Sequence, residues 1–503
     1  MNLVYSPWIP VIDFEGRSHT VGLADVFAQA ERWADLNVNP CERVALTRLL
    51  ICIVQAAIDG PEDLAGWASC KPGIAAAANA YLASWQKRFN LFGDGAFLQL
   101  DALEPNNNAL ADKIDLTRAC GNSPTLFDHE ATPDGRVPEP AALARALLVY
   151  QNFSPGGRIG TAMLENRETE ASCTMAPALE GSMLHTIVLR PDLLGTIHAN
   201  LMTREDVREL PNSGWGRPCW EFEPMTPSAL AANTNTWLGR LVPCPRAIRC
   251  AADSPKITLA EGLRYNKIPE VREPMATVVE VGSGDKARLA YLGVNLARHP
   301  WRELNSILAF KSANDRGGAY ALARLHLHVP EQETDMDATF DLWTGGLAAD
   351  QAKLLDMAQW NFTLNTSLLE SVCLNRYRLG VVDADNASGA LRNAVRDYGA
   401  YFKSQKTNPW QGNAQRLFWS QLDQQADILA DWAADEQSPR ADRWIESILF
   451  AMQSAYAQAC PHETPRQIQA YAQGLRTLNR WRAASDGGKG KNPSQPSPTV
   501  AES

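Results

Sequence analysis

The stretch LWTGGLAADQAKLL, residues 342–355, lies close to the point where the sequence changes from a mixed pattern to a helical one. Two arms rich in Leu and Trp meet at a small polar tip, so FDLWTGGLA and AKLLDMAQWNF are predicted to pair as a β-hairpin around Ala349, Asp350 and Gln351. A glutamine at such a tip offers two donors and an acceptor, so it can replace base-pair hydrogen bonds while it fills stacking space. A solvated turn fits the same residues.

Residues 1–365 have a mixed pattern of short strands, helices and loops. The segments NLVYSPWIPVI and HTVGLADVF predict a strand pair that turns through Gly16 and leads into a helix. The segment PCERVALTRLLICIVQAAI has the spacing of a buried helix that begins near Pro40. Gly and Pro are frequent further on, among strand candidates such as LHTIVLR and TVVEV. We therefore expect one large, loop-rich domain here.

Residues 366–484 are helical by period and propensity. The predicted helices are LLESVCLNRYRLGVV, SGALRNAVRDYGAYFKSQK, AQRLFWSQLDQQADILADWA, RWIESILFAMQSAYAQAC and TPRQIQAYAQGLRTLNRWRAA, separated by short breaks. Residues 485–503 are rich in Gly, Ser and Pro, which predicts a disordered tail. The predicted fold class is α+β: a large mixed, loop-rich N-terminal domain followed by a C-terminal helical bundle with four main helices.

The composition is that of a globular protein, with 45% hydrophobic and 21% charged residues among 503. No apolar run reaches the roughly 18 residues that a membrane helix needs, and MNLVYSPWIPVI is not a signal peptide, so we expect a cytoplasmic protein without membrane contact. The formal net charge of −10 argues against nonspecific coating of nucleic acid, since such binding depends on Lys and Arg. Local contact with nucleic acid stays compatible with this charge.

Motifs of catalysis and metal binding are mostly missing from the sequence. The ten cysteines form no Cys-x-x-Cys pair, and Cys244 and Cys250 are too far apart in sequence for a typical zinc site. No nucleophile elbow, Walker loop or dinucleotide fingerprint occurs. We therefore predict a noncatalytic protein with no metal and no cofactor, with a hydrolase that uses Asp128 and His129 as a minor alternative.

Three other segments carry candidate binding residues. In QNFSPGGRIG, the bend at Gly156, Gly157 and Arg158 can bring backbone amides against a phosphate or into a narrow groove. The loop CGNSPTLFDHEATPDG places Leu126 and Phe127 among turn-forming residues, where an aromatic ring is a packing anchor or a base-stacking platform. In the bundle, one basic helix face is either solvated or in contact with nucleic acid, and it contains Arg392, Arg396 and Lys403.

These segments, taken in order, resemble the CasA family, the large subunit of the type I-E CRISPR surveillance complex called Cascade. The resemblance is carried by a collinear set that extends to about residue 484: LVYSPWIPV, LADVF, ALTRLLICIVQA, FNLFGDGAFLQ, NSPTLFDHE, QNFSPGGR, WLGRLVPCPRAI, GLRYNK, GGLAADQA and the helical bundle. Some members of the family have a cysteine cluster before the segment that matches GLRY, whereas this chain has only Cys244 and Cys250 there.

The resemblance implies a DNA-recognition subunit that helps antiviral defence. Such a subunit would contact other Cascade subunits, the crRNA 5′ handle, double-stranded target DNA carrying the short flanking motif (PAM), and a recruited helicase-nuclease. It would read the PAM from the minor groove, which is about 6 Å wide and favours a glycine backbone or a slender side chain. Pairing with the guide RNA would supply most of the sequence specificity.

The resemblance also implies roles for individual residues. Gln351 matches the wedge glutamine beneath the PAM, and Asp350 occupies the neighbouring wedge position, where the family pattern has Asn. Gly156 and Gly157 match the glycine loop that approaches the minor groove, with Arg158 as a phosphate contact. The remaining matches are Lys267, for the minor-groove lysine, and either Leu126 or Phe127, for the contact to the crRNA handle.

A different class of function is compatible with the same sequence. The chain would then be a structural scaffold that docks on partner proteins and on the crRNA 5′ handle without reading DNA. This alternative predicts that Gln351→Ala and Gly157→Asp leave target binding by the assembled complex unchanged.

Overall fold

A computed structural model describes most of the chain: residues 1–106, 109–118, 135–211, 214–282, 284–308, 318–319, 322, 338–350, 352–402, 408–435 and 440–487. The chain forms two compact units. The first comprises Met1–Pro300, Ser306–Asp335 and Thr339–Leu364, and the second comprises Trp301–Asn305, Met336–Ala338 and Asn365–Ser503. The α+β fold with a helical C-terminal region is confirmed.

The first unit contains short helices and all the strands that the structure describes. The helices are α1 (Leu23–Ala28), α2 (Pro40–Ala57), α3 (Leu64–Cys70), α4 (Ile74–Trp85), α5 (Pro140–Phe153), α6 (Leu193–Ala199), α7 (Arg204–Arg208), α8 (Pro227–Leu230) and α9 (Trp237–Leu241). A further short helix, α10 (Leu304–Leu308), spans residues of both units. Among the described residues, no helix is both long enough and apolar enough to cross a membrane.

The strands form several small sheets rather than one large one. They are β1 (Ile9–Asp13), β2 (Ser18–Val21), β3 (Trp33–Leu36), β4 (Ala109–Leu110), β5 (Gly157–Arg158), β6 (Met163–Leu164), β7 (Arg167–Glu168), β8 (Ser172–Cys173), β9 (His185–Leu189), β10 (Arg246–Cys250), β11 (Lys256–Glu261), β12 (Thr277–Val281), β13 (Arg288–Tyr291), β14 (Gly318–Ala319), β15 (Thr339–Asp350) and β16 (Lys353–Asn365). The strand orders are β2-β1-β3, β10-β11-β4, β13-β12-β14, β16-β15-β9, β5-β8 and β6-β7.

Helix α2 is the central element of the first unit's core. It begins at a capping box in which the Asn39 side chain accepts a hydrogen bond from the Glu42 backbone and the Glu42 side chain accepts one from the Asn39 backbone. Pro40 occupies the first turn, as the sequence predicts. Most of the helix is buried, including polar Arg48 and Gln55. The sequence prediction of a buried helix is therefore confirmed.

A buried ion cluster holds α2 to two distant segments of the first unit. Arg48 on α2 lies 2.5 Å from Oε1 of Glu273, and Arg240 on α9 lies 2.6 Å from Oε2 of the same carboxylate. The Arg48 guanidinium also donates to the carbonyl groups of Arg240 and Leu241. All three charged side chains are essentially inaccessible to solvent. One carboxylate thus pairs with two buried guanidinium groups, and the carbonyl groups that accept from Arg48 help to satisfy the excess positive charge, because a buried unpaired charge is strongly unfavourable.

The second unit is a helical bundle. Its helices are α11 (Ser371–Tyr401), α12 (Pro409–Asp423), α13 (Ala426–Ala434), α14 (Arg440–Ala459) and α15 (Pro465–Gly487). The long helix α11 packs against all four others, and α14 packs against α12 and α13. The first two helices predicted from the sequence are thus one continuous helix, and the third is divided into α12 and α13 at Gln424 and Gln425.

Candidate nucleic-acid interface

The predicted hairpin is present as β15 and β16 of the β16-β15-β9 sheet. Strand β15 is in the middle and pairs antiparallel with β9, from Asp341 opposite Leu189 to Gly345 opposite His185. Across the hairpin, Nε1 of Trp343 donates to Oε1 of Gln359 over 3.0 Å. Asp350, the last residue of β15, is exposed at the tip, as is Ala352. The stem is therefore anchored in the fold while the tip faces solvent.

Two glycines allow the stem to pack closely. A Cβ on Gly345 would lie 2.7 Å from the carbonyl oxygen of Ala358, and a Cβ on Gly346 would lie 2.7 Å from the carbonyl oxygen of Met183. Real Cβ atoms do not approach backbone oxygens so closely, so both positions need glycine. The paired glycines of the sequence thus have a packing role within the stem.

The glycine bend follows the C-terminus of α5. The helix ends at Phe153, and Gly157 and Arg158 form β5, which pairs with Cys173 and Ser172 of β8. Gly157 has a φ of +119°, a conformation that side chains other than glycine rarely adopt. Gly157 and Arg158 are both exposed. The bend is therefore an accessible piece of backbone followed directly by a cation.

The structure brings the glycine bend to the hairpin tip. A Cβ on Gly157 would lie 3.6 Å from the Cβ of Ala352, in ordinary van der Waals contact. Ala352 directly precedes β16 and follows the predicted wedge position in the sequence. Two segments that are far apart in the chain thus form one surface, made of bare backbone on one side and a narrow turn on the other.

His185 packs beneath this surface. Its ring lies 5.6 Å from the ring of Phe153, at the end of α5, and its Cδ2 lies 3.6 Å from the position of a Cβ on Gly346. Burial lowers the pKa of His185 to about 3, with a further lowering from the Arg48 charge. The ring is therefore neutral at physiological pH, and Nε2 lies 3.1 Å from the carbonyl oxygen of Ala178. His185 links the end of α5 to the hairpin stem without contributing charge.

Lys267 is exposed in the connection between β11 and β12. It interacts electrostatically with Glu180, which lies in the segment Pro177–Ser182, where a 3₁₀ turn gives way to non-helical backbone at Glu180 and Gly181. Burial raises the pKa of Glu180 to about 7, and the positive charge of Lys267 opposes this rise. Ser182 of the same segment donates a hydrogen bond to the hairpin backbone at Ala349, so the carboxyl group that senses the Lys267 charge lies two residues from a hairpin contact.

The basic face of the bundle is a separate feature of the second unit. Arg392 and Arg396 are both exposed and lie one turn apart on α11. Six residues named from the sequence lie outside the described residues: Gln351, Lys403, Leu126, Phe127, Asp128 and His129. Their predicted roles stay predictions.

The interaction with Cys219, which is distant in sequence, and burial raise the pKa of the Cys244 thiol. Cys219, Cys244 and Cys250 are all buried, and burial raises the pKa of Cys250 to about 12. Within the part of the chain that the structure describes, no group of three or more His, Cys, Asp or Glu side chains could hold a metal ion.

Sequence reasoning missed several residues that position the surface: Ala352, Glu180, Ser182 and His185. The strand that contains His185 is visible in LHTIVLR, but nothing in that segment indicates a contact with the end of α5. Glu180 and Ser182 are single polar residues in a stretch without periodicity. No sequence signal pointed to them.

Comparisons with known proteins agree on one family. The model of the family described as CRISPR-associated protein Cse1 matches residues 2–457. A Thermus thermophilus protein described as CRISPR-associated protein CasA/Cse1 is 26% identical over 517 residues, which cover 95% of this chain and 96% of the relative.

Solved structures share the fold over nearly the whole chain. Thermobifida fusca Cse1 is 21% identical with a TM-score of 0.78, and the match covers 96% of this chain and 97% of that one. A chain of a solved structure described as a CRISPR RNA-guided surveillance complex is 17% identical with a TM-score of 0.74, and the match covers 95% and 99% of the two chains. These structural likenesses concern the fold.

Proposed function

We propose a function from one premise: this chain belongs to the CRISPR-associated protein Cse1 family. The proposed role is that of the noncatalytic large subunit of a type I-E CRISPR RNA-guided surveillance complex, Cascade. In this role the chain recognises the PAM of double-stranded DNA from the minor groove, opens the duplex to start R-loop formation, and recruits the helicase-nuclease that degrades the target.

The contact between Gly157 and Ala352 is the observation that carries this proposal. A minor groove about 6 Å wide admits a bare glycine backbone, and a narrow turn beside it can reach the adjoining base step. The exposed Gly157 backbone and the Arg158 guanidinium are suited to the groove edge and a phosphate, respectively. The tip, with Asp350 and Gln351, then occupies the space between base pairs.

Gln351 and Lys267 have distinct parts in the proposed reading. The Gln351 amide replaces hydrogen bonds of the base pair that it displaces. Lys267 supplies a flexible cation to acceptors on the floor of the groove, which distinguish A·T from G·C pairs but not their orientation. The proposal therefore includes tolerance of several related PAM sequences.

The proposed partners follow from the charge and from the division of the chain. A net charge of −10 gives weak DNA binding by the isolated subunit, and assembly with other Cascade subunits and the crRNA 5′ handle strengthens it. Residues 1–365 read the duplex, with Leu126 or Phe127 contacting the handle, and the bundle, residues 366–484, contacts nucleic acid through Arg392, Arg396 and Lys403.

A mobility-shift experiment on the reconstituted complex tests the proposal. Complexes with and without this subunit are titrated against duplex targets that carry a small library of PAMs, with Gln351→Ala and Lys267→Ala as variants. We expect PAM-dependent binding only when the subunit is present, and weaker strand opening with Gln351→Ala. Gln453→Ala changes an exposed glutamine on α14 and serves as the matched control.

Binding that is indifferent both to the subunit and to the PAM would show that the proposed recognition role is wrong. The scaffold function would then remain, in which the subunit docks on partner proteins and on the crRNA handle without reading DNA. A complex that loses the crRNA or other subunits when this chain is omitted would support that alternative.

A further inference from the structure

The hydroxyl group of Ser182 contacts both backbone groups of Ala349 in the hairpin. Its Oγ donates to the carbonyl oxygen of Ala349 over 3.1 Å and accepts from the Ala349 amide over 2.9 Å. Ala349 directly precedes Asp350, at the end of β15. One side chain thus satisfies a donor and an acceptor next to the tip.

These two bonds continue the sheet beyond the end of its third strand. The pairing of β15 with β9 ends at Gly345 opposite His185, where β9 begins. From Gly345 to the tip, this edge of β15 is no longer paired with β9. Backbone groups on an unpaired strand edge otherwise bond to water and fray. Ser182 takes the place of the missing strand at Ala349.

The backbone around Ser182 holds the hydroxyl group in this position. Ser182 has a φ of +51° and follows Gly181, with a φ of +59°, so the chain makes a left-handed turn here. The turn is fixed by hydrogen bonds from the Met183 amide to Glu180 and from the Val294 amide to Ser182, of 3.1 and 2.8 Å. A serine in the left-handed region is disfavoured, and the surrounding bonds keep it there.

We propose that Ser182 is a positioning residue that fixes the hairpin tip in the orientation needed to enter the duplex. The inference rests on the proposed function. In it, Ser182 acts on the hairpin tip through the backbone of Ala349. With Ala349 held, Ala352 keeps its place beside Gly157. Without the hydroxyl group, the end of β15 becomes mobile. The tip must then be ordered when DNA binds, and the conformational entropy lost in that step opposes insertion.

The test compares Ser182→Ala and Ser182→Gly in the assembled complex. Strand opening is followed by the fluorescence of 2-aminopurine at the base step next to the PAM, and affinity is measured for a closed duplex and for one already mismatched at that step. We expect both variants to slow opening of the closed duplex about tenfold, a factor within the range for two lost hydrogen bonds of modest net strength. Binding to the mismatched duplex, which needs no wedge, should change less than twofold.

Ser254→Ala is the matched control. Its Oγ also donates to a backbone carbonyl and accepts from a backbone amide, both of Lys256, in the connection between β10 and β11. This variant should open the closed duplex at the wild-type rate. Hydrogen exchange gives an independent readout of the two hydrogen bonds between Ser182 and Ala349, called here the clamp at Ser182. The Ala349 amide should exchange faster in both Ser182 variants.

The outcomes separate this inference from the proposed function. If Gln351→Ala slows opening and the Ser182 variants do not, the inference is wrong and the proposed function stands. If Gln351→Ala also has no effect on opening, the wedge itself is wrong. Equal losses on closed and mismatched duplexes, unchanged exchange at Ala349, or a defect in Ser182→Ala that Ser182→Gly lacks would each overturn the positioning role.

Discussion

Gly157 and Ala352 lie so close together that a Cβ on the glycine would touch the Cβ of the alanine, at 3.6 Å. Gly157 adopts a φ of +119° at the exposed end of a two-residue strand, and Ala352 lies at the tip of a long hairpin. This contact makes one candidate DNA-reading surface out of two segments that the sequence presents separately.

Gly157→Asp should abolish PAM-dependent binding by the assembled complex, with a loss of at least about tenfold in affinity. The substitution strains the backbone and places a carboxylate where DNA phosphates and groove acceptors would approach. Gly16→Asp is the matched control, since Gly16 also has a positive φ, of +78°, with open space around it. The measurement is a titration of PAM-containing duplex, and equal affinity for both variants would contradict the assignment of the bend.

Replacing Arg392 and Arg396 by Ala should reduce the salt dependence of target binding. Each phosphate contact contributes about 0.9 to the slope of log affinity against log salt concentration, so losing two contacts lowers the slope by about 2. Arg416→Ala, an exposed arginine on α12 of the same unit, is the control. An unchanged slope in the double variant would mean that this helix face is only solvated.

Glu273→Ala should destabilise the protein by about 3–5 kcal/mol, because it leaves two buried guanidinium groups without their carboxylate. Glu170→Ala is the comparison, since Glu170 pairs with Arg264 over 2.8 Å on the surface, where both side chains are more than half exposed. That change should cost less than about 1 kcal/mol. Urea unfolding of the purified chain gives both values, and similar costs would refute the role of the buried cluster.

Stability should depend on pH through Glu180. The pKa of this carboxyl group is raised from 4.5 to about 7, chiefly by burial; the charges of Lys267 and Arg240 oppose the rise and that of Glu273 adds to it. A raised folded-state pKa means that the contribution of Glu180 is fully present below about pH 4.5 and is lost as the pH rises through about 7.

Glu180→Gln cannot ionise and should therefore keep this contribution. The urea midpoint of the variant minus that of the wild type should therefore increase from pH 5 to pH 8. Glu168→Gln, at an exposed position of β7, should show no such trend. A constant difference for Glu180→Gln across this range would show that the carboxyl group does not titrate there.

Local pattern was enough to predict many of the elements. The strand pair around Gly16, the helix that begins at Pro40 and the hairpin of β15 and β16 all follow from spacing and turn residues, and the structure confirms them. The family was predicted from a collinear set of short motifs, and the family model confirms it. Each of these features depends on residues that are neighbours in sequence.

Features that depend on distant contacts could not be predicted. Helix α11 continues through the Asp- and Asn-containing stretch, residues 383–387, that the sequence suggests as a break, because Ala384 and Ala387 are buried there. Tertiary packing outweighs weak helix propensity at these positions. The contact of Gly157 with Ala352 and the clamp at Ser182 likewise depend on chain segments that only the fold brings together.

The division of the hairpin into a fixed stem and an open tip affects how this family can diversify. Substitutions at Gly345 or Gly346 would disturb the sheet, whereas Asp350 and Ala352 are exposed and can be exchanged at little cost in stability. Under the proposed function, mutations that change how the hairpin tip enters the duplex can therefore accumulate without loss of the fold. The stem carries the constraint of stability, and the tip is open to change.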